Sequence, residues 1–553
     1  MGKRNRKIFF RVKNFKSLEN VEIQISPLTF LFGPNGSGKS SLYKALKFLK
    51  ANLFPLAAEE LKFKLDEETD LLSYKDIVFN GDTAKRITME LELDPDIWKQ
   101  IISKSAGVYD FEMENSFEKF NYDQEEKDSL PPEAIEPIHE TTAYDVFDDH
   151  DDEKFEIRNA FGIEPEPDWE FHWKVYSMRP GGGTVTPLDD SNVEENDYWD
   201  MSFPFKLRIE FSNLNGSSII EIIRIESKIE NSFIEFYPSS GLKESNQKTI
   251  SIFNNSELDG AFQLFYDNIR GLPFVGENYE GFEEILNSFI FHKIQGLKVW
   301  QESSYEQKKK IYNKIIYWYF LFYQYVPKFI ASFLEIDHLP PLRNTPKEIY
   351  LLRDGKFNKE DYYGFPSFLD EHKRFRHFNN LIKGFELAER VQIRKEKSAG
   401  FLEYKPNSSK NFLNLKDASS GLLQILPVLY KCYINSQSFI EQPELHLHPK
   451  IQAKLAEYFV EQIQANESSD FPFSIIETHS EHLIRKIQVC IAKNKIERED
   501  VAVYYFDKNL NTGKTKLKKM NIEENGFFSE PWPDGFFDDS FNLSMELLTA
   551  KRN

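Results

Sequence analysis

Apolar and polar residues alternate in short runs near the start of the chain. Phe9-Phe-Arg-Val-Lys13 and Val21-Glu-Ile-Gln-Ile25 have the two-residue period of half-buried strands. Leu28-Thr-Phe-Leu-Phe32 is apolar with little interruption and reads as a buried strand. The two-residue period returns at Ile87–Leu93, Trp169–Val175, Phe205–Phe211 and Ile219–Ile225, with the turn signal Asn213-Leu-Asn-Gly-Ser217 between the last two. Such a series predicts an antiparallel sheet. Ser41–Leu49 has helical spacing, and from about 256 to 395 the pattern is helical and aromatic, punctuated by Leu339-Pro-Pro-Leu-Arg343. No heptad is sustained, so no long coiled coil is expected. Strand-like segments return at Arg390–Arg394 and Phe401–Tyr404.

Composition narrows the class. A chain of 553 residues, 40% hydrophobic and 15% aromatic, predicts two or three structural units with sizeable cores. Two cysteines, Cys432 and Cys490, form no disulfide framework and suit a reducing cytosol. The basic start (Lys3, Arg4, Arg6, Lys7) runs into a strand instead of an apolar stretch, so a cytoplasmic location is expected. Ile315–Leu334 is the most membrane-like segment, but Gln324, Pro327 and Lys328 make it a buried aromatic helix. The net charge of −20 argues against a surface built for non-specific phosphate contacts, although a local basic groove could still bind DNA. Residues 121–155 carry about a dozen Asp/Glu against two lysines, the composition of a solvated insertion more than of a metal site.

Residues 33–40 carry the firmest chemistry. Gly33-Pro34-Asn35-Gly36-Ser37-Gly38-Lys39-Ser40, followed by Ser41, is a complete G-x-x-x-x-G-K-S loop between a buried strand and a helix. Its glycines let successive N–H groups point at phosphate oxygens, and the helix dipole adds to the field there. Lys39 is placed to reach the β- and γ-phosphates and Ser40 to hold Mg²⁺, so the chain is expected to bind ATP with Mg²⁺.

Three further motifs follow between 417 and 482. Asp417-Ala-Ser-Ser-Gly-Leu-Leu-Gln-Ile-Leu-Pro427 opens an apolar helix on a serine pair, a start that can hold an anion. Ser438-Phe-Ile-Glu-Gln-Pro-Glu-Leu-His-Leu-His-Pro449 is an apolar strand ending in an acid, the place from which Mg²⁺ is held beside such a loop. Ser474-Ile-Ile-Glu-Thr-His-Ser-Glu-His482 is another short apolar strand, with His479 at its exit. Glu444, His446 and His448 alternate, and Glu477, His479, Glu481 and His482 add nitrogen and oxygen donors, but neither HExxH nor paired Cys-x-x-Cys spacing supports a zinc centre.

In this order the motifs resemble the ABC-type ATPases of the SMC/RecF and OLD-like group, closest to the AAA-family ATPases of Septu-type and retron-linked antiphage systems. The segments Pro340–Arg343 and Phe527–Phe537 also resemble that branch. The resemblance implies an α/β fold: a P-loop ATPase head with an antiparallel β subdomain, a large mainly helical insertion and a short C-terminal extension. Its specific motifs cover roughly residues 5–95 and 400–485 and place the N-terminal part of the head at 1–95; composition and strand period place an acidic, partly disordered insertion at 96–168 and the β subdomain at 169–240. The helical insertion is expected at 241–395, the C-terminal part of the head at 396–510 and the tail at 511–553. By the same resemblance Ser419, Ser420 and Gly421 match the signature motif, Glu441 the Walker B acid that holds Mg²⁺ with Ser40, Glu444–Pro449 the D-loop region and His479 the switch histidine. Two protomers would pack head to tail, each ATP lying between one P-loop and the partner's signature helix.

Two departures stand out. The signature reads Ser-Ser-Gly-Leu-Leu-Gln, unlike that of transport subunits. Gln442 occupies the position where the group carries its catalytic glutamate, and an amide orients water without accepting its proton. Either Glu441 or Glu444 is then the base, or hydrolysis is slow. The expected function is a nucleotide-gated dimeric switch, or a larger assembly, that controls a separate effector. The resemblance points to an HNH-type nuclease and to a reverse transcriptase with its noncoding RNA as partners. The alternatives are a RecF/SMC-like repair or DNA-clamp ATPase and a self-contained OLD-like nuclease, for which the roughly seventy residues after His479 are too few to form a nuclease domain.

Overall fold

The computed structural model describes residues 8–53, 61–65, 69–93, 205–214, 216–227, 233–236, 250–251, 255–261, 294, 296–305, 307–308, 311, 333–358, 361–371, 375–434, 437–465, 473–533 and 539–550. The chain divides into two compact units, one of Met1–Asp110, Phe203–Asn255 and Ile316–Asn553, the other of Phe111–Ser202 and Ser256–Ile315.

In the first unit, β1 (Ile8–Phe15) and β2 (Leu18–Ile25) form a hairpin, β3 (Leu28–Phe32) leaves it for another sheet, and α1 (Lys39–Leu53) and α2 (Tyr74–Ile77) follow. With β4 (Ile87–Leu93), β5 (Phe205–Leu214), β6 (Ser217–Ser227), β7 (Phe233–Phe236) and β8 (Ile250–Ser251), the hairpin makes a seven-stranded antiparallel sheet of order β2-β1-β4-β5-β6-β7-β8. Alternation divides its faces. Phe10, Val12, Ile23, Met89, Leu91, Leu207 and Ile209 are buried on one. On the other, Arg11 donates to Glu92 at 2.6 Å and Glu22 at 2.7 Å, and Lys206 lies 3.1 Å from Glu90. Such cross-strand pairs add stability one pair at a time. Because β4 pairs β5 from Ile87↔Phe211 to Leu93↔Phe205, the strands of 1–95 and those of 169–240 share one ladder.

The described part of the second unit includes α3 (Lys298–Gln301), whose Trp300 is buried with Lys308 Nζ 5.9 Å from its ring.

The rest of the first unit runs through β9 (Asp337–Leu339), β10 (Tyr350–Leu351), α4 (Phe365–Glu371), α5 (Phe375–Gly384), β11 (Arg390–Glu396), β12 (Ala399–Lys405) and β13 (Leu413–Asn414). Then come α6 (Ser420–Ile434), β14 (Gln437–Glu441), α7 (Pro449–Ala465), β15 (Phe473–Glu477), α8 (Glu481–Ala492), β16 (Val501–Lys508), β17 (Thr515–Lys519) and α9 (Asp539–Ala550). A six-stranded sheet has the order β17-β16-β3-β15-β14-β9, parallel except for β17. All five residues of β3 are buried, as a parallel strand covered on both faces requires. The register Leu31↔Glu477 and Glu477↔Glu441 brings the ends of β3, β15 and β14 level, so the loops after them share one sheet edge. Ligands of open α/β sheets bind at that edge.

Helix α1 packs against both sheets. Its Phe48 ring lies 5.9 Å from Phe15 and 5.0 Å from Phe211, and its Tyr43 ring 4.9 Å from Phe439 of β14. A third sheet, β10-β12-β11 with β13 on β12, borders an aromatic cluster in which Phe365 and Phe368 of α4 meet Tyr430 of α6 and Phe378 of α5 packs on both phenylalanines.

The stretch 241–395, expected to be helical, also supplies strands to all three sheets: β8, β9, β10 and β11. Strands of two or three residues are too short to display a period of two, which is why the pattern hides most of them. The acidic insertion, the expected strand Trp169–Val175, most of Ile315–Leu334 and residues 534–537 of the tail motif lie outside the described residues. Among the described residues no helix is long and apolar enough to cross a membrane.

Candidate nucleotide-binding site

The loop from Gly33 to Gly38 joins β3 to α1, and its glycines have φ values of +136°, +75° and +109° at Gly33, Gly36 and Gly38. Side chains rarely adopt such values. Space forbids them as well, since a Cβ on Gly33 would run into the Phe506 carbonyl and one on Gly38 into Thr515 Oγ1. Thr515, at the start of β17, fastens the loop. Its hydroxyl donates to the Ser37 carbonyl at 2.8 Å and therefore accepts from Ser17 Oγ, also at 2.8 Å, while its N–H donates to Ser17 O at 2.9 Å. The loop is thus gripped by the β1–β2 turn on one side and the β16–β17 hairpin on the other. Pro34, Asn35 and Gly36 remain exposed, and Ser41 N closes the first turn on Gly38 O at 3.1 Å.

Lys39 is 3% exposed. Its Nζ donates to the carbonyls of Gly33 at 2.7 Å and Pro34 at 3.0 Å and lies 3.5 Å from Glu477 Oε1. Burial pushes the Lys39 pKa down, against the opposing pull of Glu477 and Glu441. Burial likewise raises that of Glu477, against the pull of Lys39. Ser40 Oγ donates to Glu477 Oε2 over a long 3.4 Å. The acid beside Ser40 is therefore Glu477. Glu441 accepts instead from His338 Nε2 at 2.8 Å, and that imidazole stacks on Tyr43 at 4.0 Å.

Glu444 has both oxygens engaged: Oε2 accepts from Thr478 Oγ1 and Oε1 from the His479 backbone N–H, each at 2.7 Å. Burial raises its pKa against those hydrogen bonds. Its contacts are those of a group that holds the turn carrying His479, whose own pKa is lowered by burial and then by Lys39. Gln442 N donates to Glu477 O at 2.7 Å, and its φ of +43° is uncommon for a residue with a side chain. Ser419 and Ser420 are exposed at the start of α6, where Ser419 Oγ accepts from Leu422 N at 3.4 Å, and among the described residues neither bonds to residues 33–41. Gly421 lies against the His446 carbonyl.

The alternation of Glu444, His446 and His448 does not make a metal face. Residues 443–446 are a turn, with His446 at φ +60°, so these side chains do not follow a strand's period. Among the described residues no group of three or more His, Cys, Asp or Glu converges to hold a metal. The structure therefore brings together Lys39, Ser40, Glu441, Glu444 and His479, and adds Glu477, His338 and Thr515. Glu477 ends an apolar strand just as Glu441 does, and that signal was readable. His338 and Thr515 carried none.

The donor set fits a nucleoside triphosphate with a divalent cation. The loop backbone is shaped for an anion, Ser37 Oγ is buried without a hydrogen-bond partner among the described residues, and a buried ammonium faces two carboxylates. Fold and site together define a P-loop nucleotide-binding protein. The chain belongs to the AAA ATPase domain family, which matches residues 8–484. Residues 496–547 match a second family, described as a protein of unknown function (DUF3696). An OLD nuclease of Thermus scotoductus is 28% identical over 85 residues, which is 15% of this chain and 14% of that relative's length. Among solved structures, an Smc head domain from Pyrococcus furiosus bound to the C-terminal domain of ScpA aligns over 99% of this chain and all of its own at 10% identity and a TM-score of 0.35. An SMC head domain from Thermotoga maritima aligns over 94% and 100% at 10% identity and 0.30.

Thr515→Val keeps the shape of the clamp and removes its hydroxyl, leaving the Ser37 carbonyl without its donor. The unmet bond is worth about 1–3 kcal/mol, so ATP affinity measured by calorimetry should fall by roughly tenfold while Thr515→Ser stays near wild type. Equal affinity in wild type and Thr515→Val would show that the loop keeps its shape without this bond.

Proposed function

We propose that this chain is an ATP-binding, slowly hydrolysing switch that closes as a head-to-tail dimer and controls a separate effector nuclease in antiphage defence. Lys39 and the loop amides would hold the triphosphate, and Ser40 with Glu441 and Glu477 the Mg²⁺, which supplies charge neutralisation at the transferring phosphoryl group. Gln442 orients the attacking water and Glu444 positions His479 near it.

The observation that carries the dimer is the placement of Ser419 and Ser420. They are exposed at the first turn of a fifteen-residue helix and make no bond to their own chain's loop among the described residues. Such an end suits the γ-phosphate of a partner's nucleotide. Triphosphate would then favour closure and diphosphate release, because only the closed state gains the contact. The effector rests on resemblance: an HNH-type nuclease, with a reverse transcriptase and its noncoding RNA as further partners. Reading the neighbouring genes tests that part.

Lys39→Ala should abolish ATP binding, since the β- and γ-phosphate charge loses its fixed cation. Equal affinity in mutant and wild type by calorimetry would overturn the assignment of the loop.

Ser420→Arg should leave ATP binding by each protomer intact and block closure. Light scattering that finds the ATP-bound wild type strictly monomeric at micromolar concentration would sink the dimer.

Turnover should fall well below the enzyme median of about 10 s⁻¹, because Gln442 cannot take a proton. General-base catalysis is worth about 10²–10⁴-fold, so Gln442→Glu should raise hydrolysis and shorten the closed state. If Gln442→Glu changes nothing and Glu444→Gln abolishes turnover, Glu444 is the base.

A further inference from the structure

Arg343, in the loop after β9, is a buried cation that bonds to neutral oxygens. It is 4% exposed. Its Nη2 donates to the Glu441 carbonyl at 2.7 Å and reaches the Gln442 carbonyl at 3.5 Å. Its Nη1 reaches Gln424 Oε1 at 3.5 Å. The Gln424 amide is held from the backbone too, with Arg343 N donating to Oε1 at 3.3 Å and Arg343 O accepting from Nε2 at 3.2 Å. Burial brings the Arg343 pKa down to about 10, so the group stays charged at neutral pH.

Position gives these bonds their meaning. Gln424 lies four residues after Ser420 on α6, hence on the same side of the helix. Glu441 ends β14 and Gln442 follows it, beside Lys39 and Glu477. One side chain thus spans the helix that begins at the signature serines and the strand end that carries the water-orienting amide. The helix is also tied to the stretch around Arg343, since Tyr362 Oη donates to the Leu423 carbonyl at 2.8 Å and Asn344 N donates to Tyr363 Oη at 2.9 Å. Both tyrosines sit at left-handed φ, +43° and +62°, a strain that persists only where the surroundings over-determine it. An apolar side chain would fill this space without desolvating a charge. A guanidinium adds a rigid fork that bonds both elements at once.

We propose that Arg343 is a positioning residue that couples the two nucleotide sites of the dimer. The coupling rests on the head-to-tail reading above. When Ser420 engages the partner's nucleotide, the shift of α6 passes through Gln424 and Arg343 to the backbone of Glu441 and Gln442. The water at the protomer's own site is then oriented. Nucleotide in one site therefore raises hydrolysis in the other.

The test uses the full chain with Arg343→Lys, which keeps the charge and loses the fork, and Gln424→Ala, which removes the other end. Wild-type hydrolysis against ATP concentration should be sigmoidal, with a Hill coefficient between about 1 and 2, the limit for two sites. In both variants the coefficient should fall to about 1 and turnover by roughly tenfold, the loss expected of one hydrogen bond to a charged group. Calorimetric ATP affinity and dimer formation by light scattering should stay at wild-type levels. A merely structural role would lower affinity, dimerisation and melting temperature together and leave the sigmoid in place, which would overturn the proposal. Should Arg343→Lys not fold, Gln424→Ala decides alone. A dimeric wild type with hyperbolic kinetics overturns the coupling and leaves the switch standing, and one with no turnover overturns the coupling and the slow hydrolysis and leaves only the ATP-gated dimer. A monomeric wild type overturns both.

Discussion

Between Gly33 and Gly38 the chain passes so close to β16 and β17 that a methyl group at either glycine would strike a carbonyl or a hydroxyl. That approach shapes the loop, aims its amides and sets where α1 begins. The rest of the site depends on it. Lys39 is buried because the loop folds over it, and Glu477 lies within reach because β15 pairs directly with β3. The clamp comes from residues 501–519, within the segment matched by a family of unknown function. In this chain that segment completes the parallel sheet and closes one wall of the phosphate-binding loop.

A second constraint is the low dielectric behind the sheet edge. Lys39, Glu477, Glu444 and Arg343 are all pushed toward their neutral forms by burial. Buried charges are kept where they are paired, hydrogen-bonded or needed. Lys39 and Glu477 pair directly, 3.5 Å apart, beside the loop that would hold a triphosphate. Glu444 and Arg343 are spent on geometry: one holds the turn at Thr478 and His479, the other the backbone at Glu441 and Gln442. The carboxylate that sequence reasoning offered as a base thus has both oxygens committed to placing the histidine.

The sheets explain how distant stretches form one site. The antiparallel sheet gathers strands from residue 8 to residue 251, and the parallel sheet gathers strands from residue 28 to residue 519. Helix α1 lies against both, with Phe48 on one sheet and Tyr43 on the other. Movement of either sheet would therefore be felt at the first turn of α1, where Lys39 and Ser40 stand.

What the sequence by itself determined was local. The strand–loop–helix at 28–53, the alternating strands of the antiparallel sheet, the acid at the end of β14 and the histidine after β15 all follow from periodicity and spacing, which neighbouring residues carry. Only the tertiary structure decided which carboxylate stands by Ser40, that Glu444 braces the turn at His479, and that His338 meets Glu441. The separation of 478 positions between Ser37 and Thr515, and the two- and three-residue strands that place His338 and Arg343, leave no local pattern. Hydrogen bonds and burial depend on distance in space, and only packing sets that distance.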